Sequence, residues 1–184
     1  MGITAPNRRL RHLGLELALL AFLGCVLGHP GDVAADEATI MRVRSTDSTI
    51  TTLIELAATR SLTFKKLVSL IQSSDGLVYV EPGECGHGTH ACLKLWMEAS
   101  GSTRFLRVVV SRRRGSSDMD FLGSIGHELQ HSVEALSEPG TVDSVGLFNF
   151  FSRTATRGNN RFETMAAINA GDAVRSELGN LRVR

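Results

Sequence analysis

Five consecutive residues, His127-Glu128-Leu129-Gln130-His131, constrain this chain more than any other segment. They lie in a long stretch without proline, and residues 124–126 and 132–133 beside them are uncharged, so the pattern predicts a helix over Met119–Leu136. At about 100° per residue, Leu122, Ile125, Leu129, Val133 and Leu136 form one stripe for packing. His127 and His131 fall together on nearly the opposite side, one turn apart. Glu128 takes a rim position about 60° from His131. The chain must therefore build around a helix that shows two imidazoles and a carboxylate to a second surface.

Two imidazoles at this spacing can converge on one Zn²⁺, which makes His127 and His131 candidate metal ligands. Zinc lowers the pKa of a water toward about 7, and an adjacent carboxylate such as Glu128 can take the proton. The competing reading is a pair of solvated histidines on an amphipathic helix. A catalytic zinc also needs a third protein ligand and an open fourth position. Glu134 shares the histidine face but stands about 10 Å along the axis from His127, and reads as a supporting or surface residue. Glu163 is the better ligand candidate. It starts an expected Arg161–Leu178 helix, where Ala167, Ala170 and Val174 follow on its face and small residues admit a close neighbour. A carboxylate at the end of such a buried stripe calls for a cation. The alternative is a first-turn acid favoured by the helix dipole. Glu138 and Asp143 read as turn or capping residues.

The rest of the pattern predicts an α+β domain. Asp47 or Ser48 caps a helix through Ala58 with Ile50, Leu53, Ile54 and Ala57 inward, and Ser61-Leu62-Thr63 opens another with Phe64, Leu67, Leu70 and Ile71 inward. Three strand-like runs follow, Leu77–Val80, Ala91–Met97 and Arg104–Ser111, whose short Gly-rich links suggest an antiparallel meander. A helix over Val142–Ser152 precedes the last one. Residues 36–45 show no periodicity and read as a loosely held start.

Residues 1–12 carry Arg8, Arg9 and Arg11 and no acid, and Leu17–Gly28 is an unbroken apolar and glycine run. This is the layout of a signal peptide, expected to be cleaved after Ala35 to leave residues 36–184 as one exported domain; a lipid anchor at Cys25 is the alternative. Without residues 1–35 the formal charge of +1 disappears, which argues against a nucleic-acid partner. No stable membrane span is expected in the mature form. Export makes a disulfide the simplest reading of Cys85 and Cys92, stapling the loop between the first two strands, with a Cys/His metal site as the lesser one. His87 and His90 in that loop either face the cleft or are solvated. Arg112-Arg113-Arg114 reads as a solvated basic turn.

A histidine pair in HExxH spacing followed by Glu163 on a later helix resembles the zincin metallopeptidases of the gluzincin type. More than any peptidase branch, the chain resembles small exported bacterial proteins that share a His-Glu-Leu-Gln-His segment. The resemblance covers about Leu77–Leu178. It implies a minimal zincin-like domain with one catalytic Zn²⁺ held by His127, His131 and Glu163. Glu128 is then the general base, and an edge strand holds a peptide or protein substrate. Glu163 lies in Phe-Glu-Thr-Met-Ala-Ala rather than the Asn-Glu-x-x-x-Asp of the thermolysin branch, and Tyr79 is the only tyrosine. An exported zinc-dependent hydrolase is the reading this supports; a zincin-fold protein that holds metal without turnover is the alternative.

Overall fold

The computed structural model describes residues 41–86, 89–112, 115–158 and 161–179. The expected signal peptide, residues 1–35 with Cys25, and also His87, Arg113 and Arg114 lie outside the described residues. Within them the architecture is α+β, with five helices and a four-stranded sheet.

Strand β1 (Val43–Arg44) leads into helix α1 (Ser48–Arg60), which Asp47 caps by accepting a hydrogen bond from the Ile50 amide. Ser61 ends α1 and caps α2 (Leu62–Gln72) in the same way through the Phe64 amide. The inward residues of α1 are the four expected. In α2, Val68 is buried instead of Leu70, which is 41% exposed. The chain continues through β2 (Gly76–Pro82), β3 (Ala91–Ser100), β4 (Thr103–Val110) and α3 (Asp118–Leu136). Then come α4 (Ser144–Thr154), the short pair β5 (Thr156–Gly158) and β6 (Arg161–Glu163), and α5 (Met165–Gly179).

The sheet is not an antiparallel meander. Its order is β1-β2-β4-β3, with β4 parallel to β2 and antiparallel to β3. Leu106, Val108, Val109 and Val110 make β4 the most apolar strand, and with β2 it takes an interior position, buried against the helices. Strand β3 carries Lys94, Glu98 and Ser100 and goes to the edge, where charge is tolerated. Strand β3 lies on the far side of β4 from β2, and Gly101, at φ +59°, turns the chain back into β4. The start of the described chain is also better held than its sequence suggests: Val43 is buried and β1 pairs parallel with β2.

Helix α3 is central rather than half-exposed. It packs on α5, α2, β3 and β4, so Glu128, His131 and Ser132 are buried along with Leu122, Ile125, Leu129 and Leu136, while Val133 is partly buried. Its end is held by Arg104 of β4, a buried guanidinium that donates to the carbonyls of Leu136 (2.5 Å), Glu138 (2.9 Å) and Thr141 (3.0 Å) and pairs with Asp75 at 2.7 Å. These carbonyls belong to the last turn of α3 and the loop after it. Helix α5 crosses α3 closely at Gly171. A Cβ there would lie 3.0 Å from the Gly123 carbonyl oxygen and 3.2 Å from the His127 Cβ.

Candidate metal centre

The ligand atoms of His127, His131 and Glu163 all lie within 4.8 Å of one another. His127 Nε2 is 3.1 Å from Glu163 Oε2. At that distance the two groups are hydrogen-bonded; tetrahedral ligands on metal bonds of about 2.0–2.1 Å stand about 3.3 Å apart, so the pair would need little movement to hold an ion instead. Glu163 reaches the histidines differently from the sequence expectation. Residues 161–163 form β6, paired antiparallel with β5, and α5 begins only at Met165. Glu163 is therefore the last residue of a strand, its side chain 35% exposed at the cleft, not a first-turn acid on a buried helical stripe. The small-residue face of α5 does pack as expected, with Ala167, Ala170, Gly171 and Val174 buried.

His131 supplies the strongest sign that the group suits a cation. Its Nδ1 lies 3.1 Å from Glu134 Oε2, while its buried Nε2 has no hydrogen-bond partner. A carboxylate beside Nδ1 holds the proton there and leaves the Nε2 lone pair free to ligate. A buried polar atom without a partner is costly, and a metal ion would satisfy it. The donor set of two imidazoles and one carboxylate suits zinc.

Glu134 thus pairs with His131 and is largely shielded, not a surface acid. Its Oε1 accepts the Thr164 hydroxyl at 2.7 Å. Burial pushes the Glu134 carboxyl up, but hydrogen bonds from His131, Thr164 and Gln130 outweigh it and hold the pKa below the usual carboxylate value. Glu128 goes the other way. It is buried, not on a rim, and burial raises its pKa despite the opposing influence of His131, His127 and the Leu93 amide. That amide, on edge strand β3, donates to Glu128 Oε2 at 2.7 Å. For His127, burial lowers the pKa, yet Glu163 and Glu128 more than compensate and leave it raised.

A cleft of about 370 Å³ opens over this group. One wall is β3, with Leu93, Lys94 and Leu95; the other holds Phe151 and Phe162, stacked at 6.0 Å. The Phe151 ring also meets His131 edge-on at 5.3 Å. At the rim Cys85 and Cys92 form the expected disulfide, with Cα atoms 5.8 Å apart, and it staples the loop between β2 and β3. Among the described residues the lining passes from Thr89 to Ala91 without His90, and Lys94 is its only Lys or Arg. Arg112 pairs with Asp118 and lies over the Phe121 ring, away from the cleft. Asp143 caps α4 as expected, accepting from the Gly146 amide, and Glu138 accepts from Gly140 in the turn before it.

Sequence reasoning missed Thr164, the Leu93 amide and the two phenylalanines. Glu134 was visible at i+3 from His131, but nothing in the sequence places Thr164 beside it. No family model, curated protein or solved structure matches the chain. No helix among the described residues is long and apolar enough to cross a membrane.

Proposed function

We propose that this chain is an exported zinc-dependent hydrolase acting on peptide bonds, with His127, His131 and Glu163 as metal ligands and Glu128 as general base. The observation that carries this reading is the buried His131 Nε2, which has no hydrogen-bond partner, on a residue whose ligand atom lies within 4.8 Å of those of His127 and Glu163. The disulfide supports export, since such bonds persist in oxidising compartments.

When bound, zinc would polarise a carbonyl and make water more acidic. The chain's own groups do the rest. Glu128, whose Oε2 accepts the Leu93 amide, would take a proton from water in the cleft on Oε1 and return it to the departing amine. A carboxylate whose pKa is raised by burial holds that proton better than an exposed one. Glu134 keeps the proton of His131 on Nδ1. Phe151 and Phe162 on one wall and Leu93 on the other exclude bulk water from the cleft and offer apolar surface to a side chain of the substrate.

A protein that holds metal without turnover is the second reading. It is favoured by the Leu93 amide, which engages Glu128 Oε2, and by a described lining with no tyrosine. One set of measurements separates the two. The hydrolase reading expects one zinc per chain, cleavage within a broad peptide library, and a turnover loss of about 10²–10⁴-fold in Glu128→Gln with zinc retained. Zinc without cleavage supports the second reading, and a protein with no stoichiometric metal defeats both.

A further inference from the structure

Two of the three candidate ligands sit on α3, and the third is on β6, which reaches the site only if the β6–α5 junction docks there. Residue Thr164, next to Glu163, has a hydroxyl with two partners. It donates to Glu134 Oε1 at 2.7 Å and accepts the Ala167 amide at 3.1 Å, while the Thr164 carbonyl accepts from Ile168 at 3.1 Å. Thr164 thus caps α5 and, through the same oxygen, ties that cap to α3. The other oxygen of Glu134 faces His131 Nδ1. One carboxylate, 17% exposed and with Gln130 Nε2 at 3.4 Å as a further donor, therefore reaches a histidine ligand directly and the carrier of the glutamate ligand through one hydroxyl.

We propose that Glu134 and Thr164 form a latch that brings the third ligand to the two histidines. Both are positioning residues: neither contributes a ligand atom, and their effect is exerted on Glu163 and His131. The inference rests on the metal-centre reading above and adds to it a reason why three ligands from two separate elements share one site. A carboxylate has two oxygens with separate directions, so it can hold the imidazole and the hydroxyl at once. Outer partners of this kind typically change metal affinity by about 10–100-fold. Without the latch, α3 would keep a two-histidine site, and Glu163 would lose its fixed approach.

Zn²⁺ affinity, measured by competition with a chelator, and the visible spectrum of the Co²⁺-loaded protein test this. Glu134→Ala and Thr164→Val are each expected to weaken Zn²⁺ binding about 10–100-fold and to shift the Co²⁺ spectrum toward that of Glu163→Gln. Because they break one connection, the double variant is expected to fall well short of the product of the single effects. Thr164→Ser, which keeps the hydroxyl, is expected to bind within about threefold of the parent. Unchanged affinity in Thr164→Val, or fully multiplicative effects, overturns the latch while leaving the metal centre standing.

A parent protein that takes up neither ion overturns the metal-centre reading instead, and the latch is then judged on the metal-free protein by ¹⁵N spectra of the imidazoles. A single Nδ1-protonated His131 in the parent that becomes a tautomer mixture in Glu134→Ala supports it. A mixture already present in the parent overturns it. The spectra and Glu134→Ala also carry the test if Thr164→Val does not fold.

Discussion

Replacing Arg104 with methionine removes the group that ends the site helix and leaves most of its aliphatic bulk in place. Arg104 is 6% exposed. Two of its acceptors, the Leu136 and Thr141 carbonyls, are reached in fully buried contacts at 2.5 and 3.0 Å. Methionine offers them no donor, and each buried acceptor left alone costs about 1–3 kcal/mol. The Asp75 pairing contributes less, under about 1 kcal/mol, because the Asp75 side chain is 45% exposed and well solvated. The expected loss is about 3–5 kcal/mol, a large share of the roughly 5–15 kcal/mol that holds a domain folded. For a domain of this size it corresponds to a Tm lowered by about 10–15 °C. Urea denaturation followed by far-UV circular dichroism measures the loss, with Asp75→Asn as the control expected to lose under about 1 kcal/mol. A stability for Arg104→Met within about 1 kcal/mol of the parent would falsify the claim that these carbonyls depend on the guanidinium.

Two further outcomes concern α5. Gly171→Ala should lower stability by about 1–3 kcal/mol and weaken zinc binding, because the added methyl meets the Gly123 carbonyl oxygen at 3.0 Å beside His127. Helix propensity alone favours alanine by about 1 kcal/mol, so a rise in Tm would sink this account of the crossing. Glu177 accepts hydrogen bonds from Ser61 and Thr63; burial raises its pKa, but these bonds outweigh it and leave the pKa depressed. The stabilisation from a depressed carboxylate is present above its unfolded pKa, about 4.3, and is lost as pH falls through the folded value. Glu177→Gln should therefore be less stable than the parent at pH 7, by under about 1 kcal/mol for so exposed a group. The gap should close as pH falls from about 4.3 through the folded value, and a gap independent of pH would contradict the assignment.

The elements legible in the sequence were those whose causes are local. Asp47, Ser61 and Asp143 cap the helices they precede because a side-chain oxygen and an amide a few residues later suffice. The histidine pair was legible for the same reason: a helical turn brings His127 and His131 to one side whatever surrounds them. The cysteine pair, seven apart, had only a short loop to close.

What the sequence left open depended on neighbours distant along the chain. Strand order turned on which strand could be buried on the helices, so valine-rich β4 displaced β3 from the middle. The burial of Glu128, and with it the raised pKa, came from tertiary packing that sets β3, with its Leu93 amide, against a helix whose own pattern shows a polar face. The strand at residues 161–163 exists only through pairing with residues 156–158. The sequence alone determined which side chains could serve a metal centre. Only the tertiary structure decided which of them meet, because hydrogen bonds such as Thr164 to Glu134, and carbonyls such as those held by Arg104, join residues about 30 positions apart.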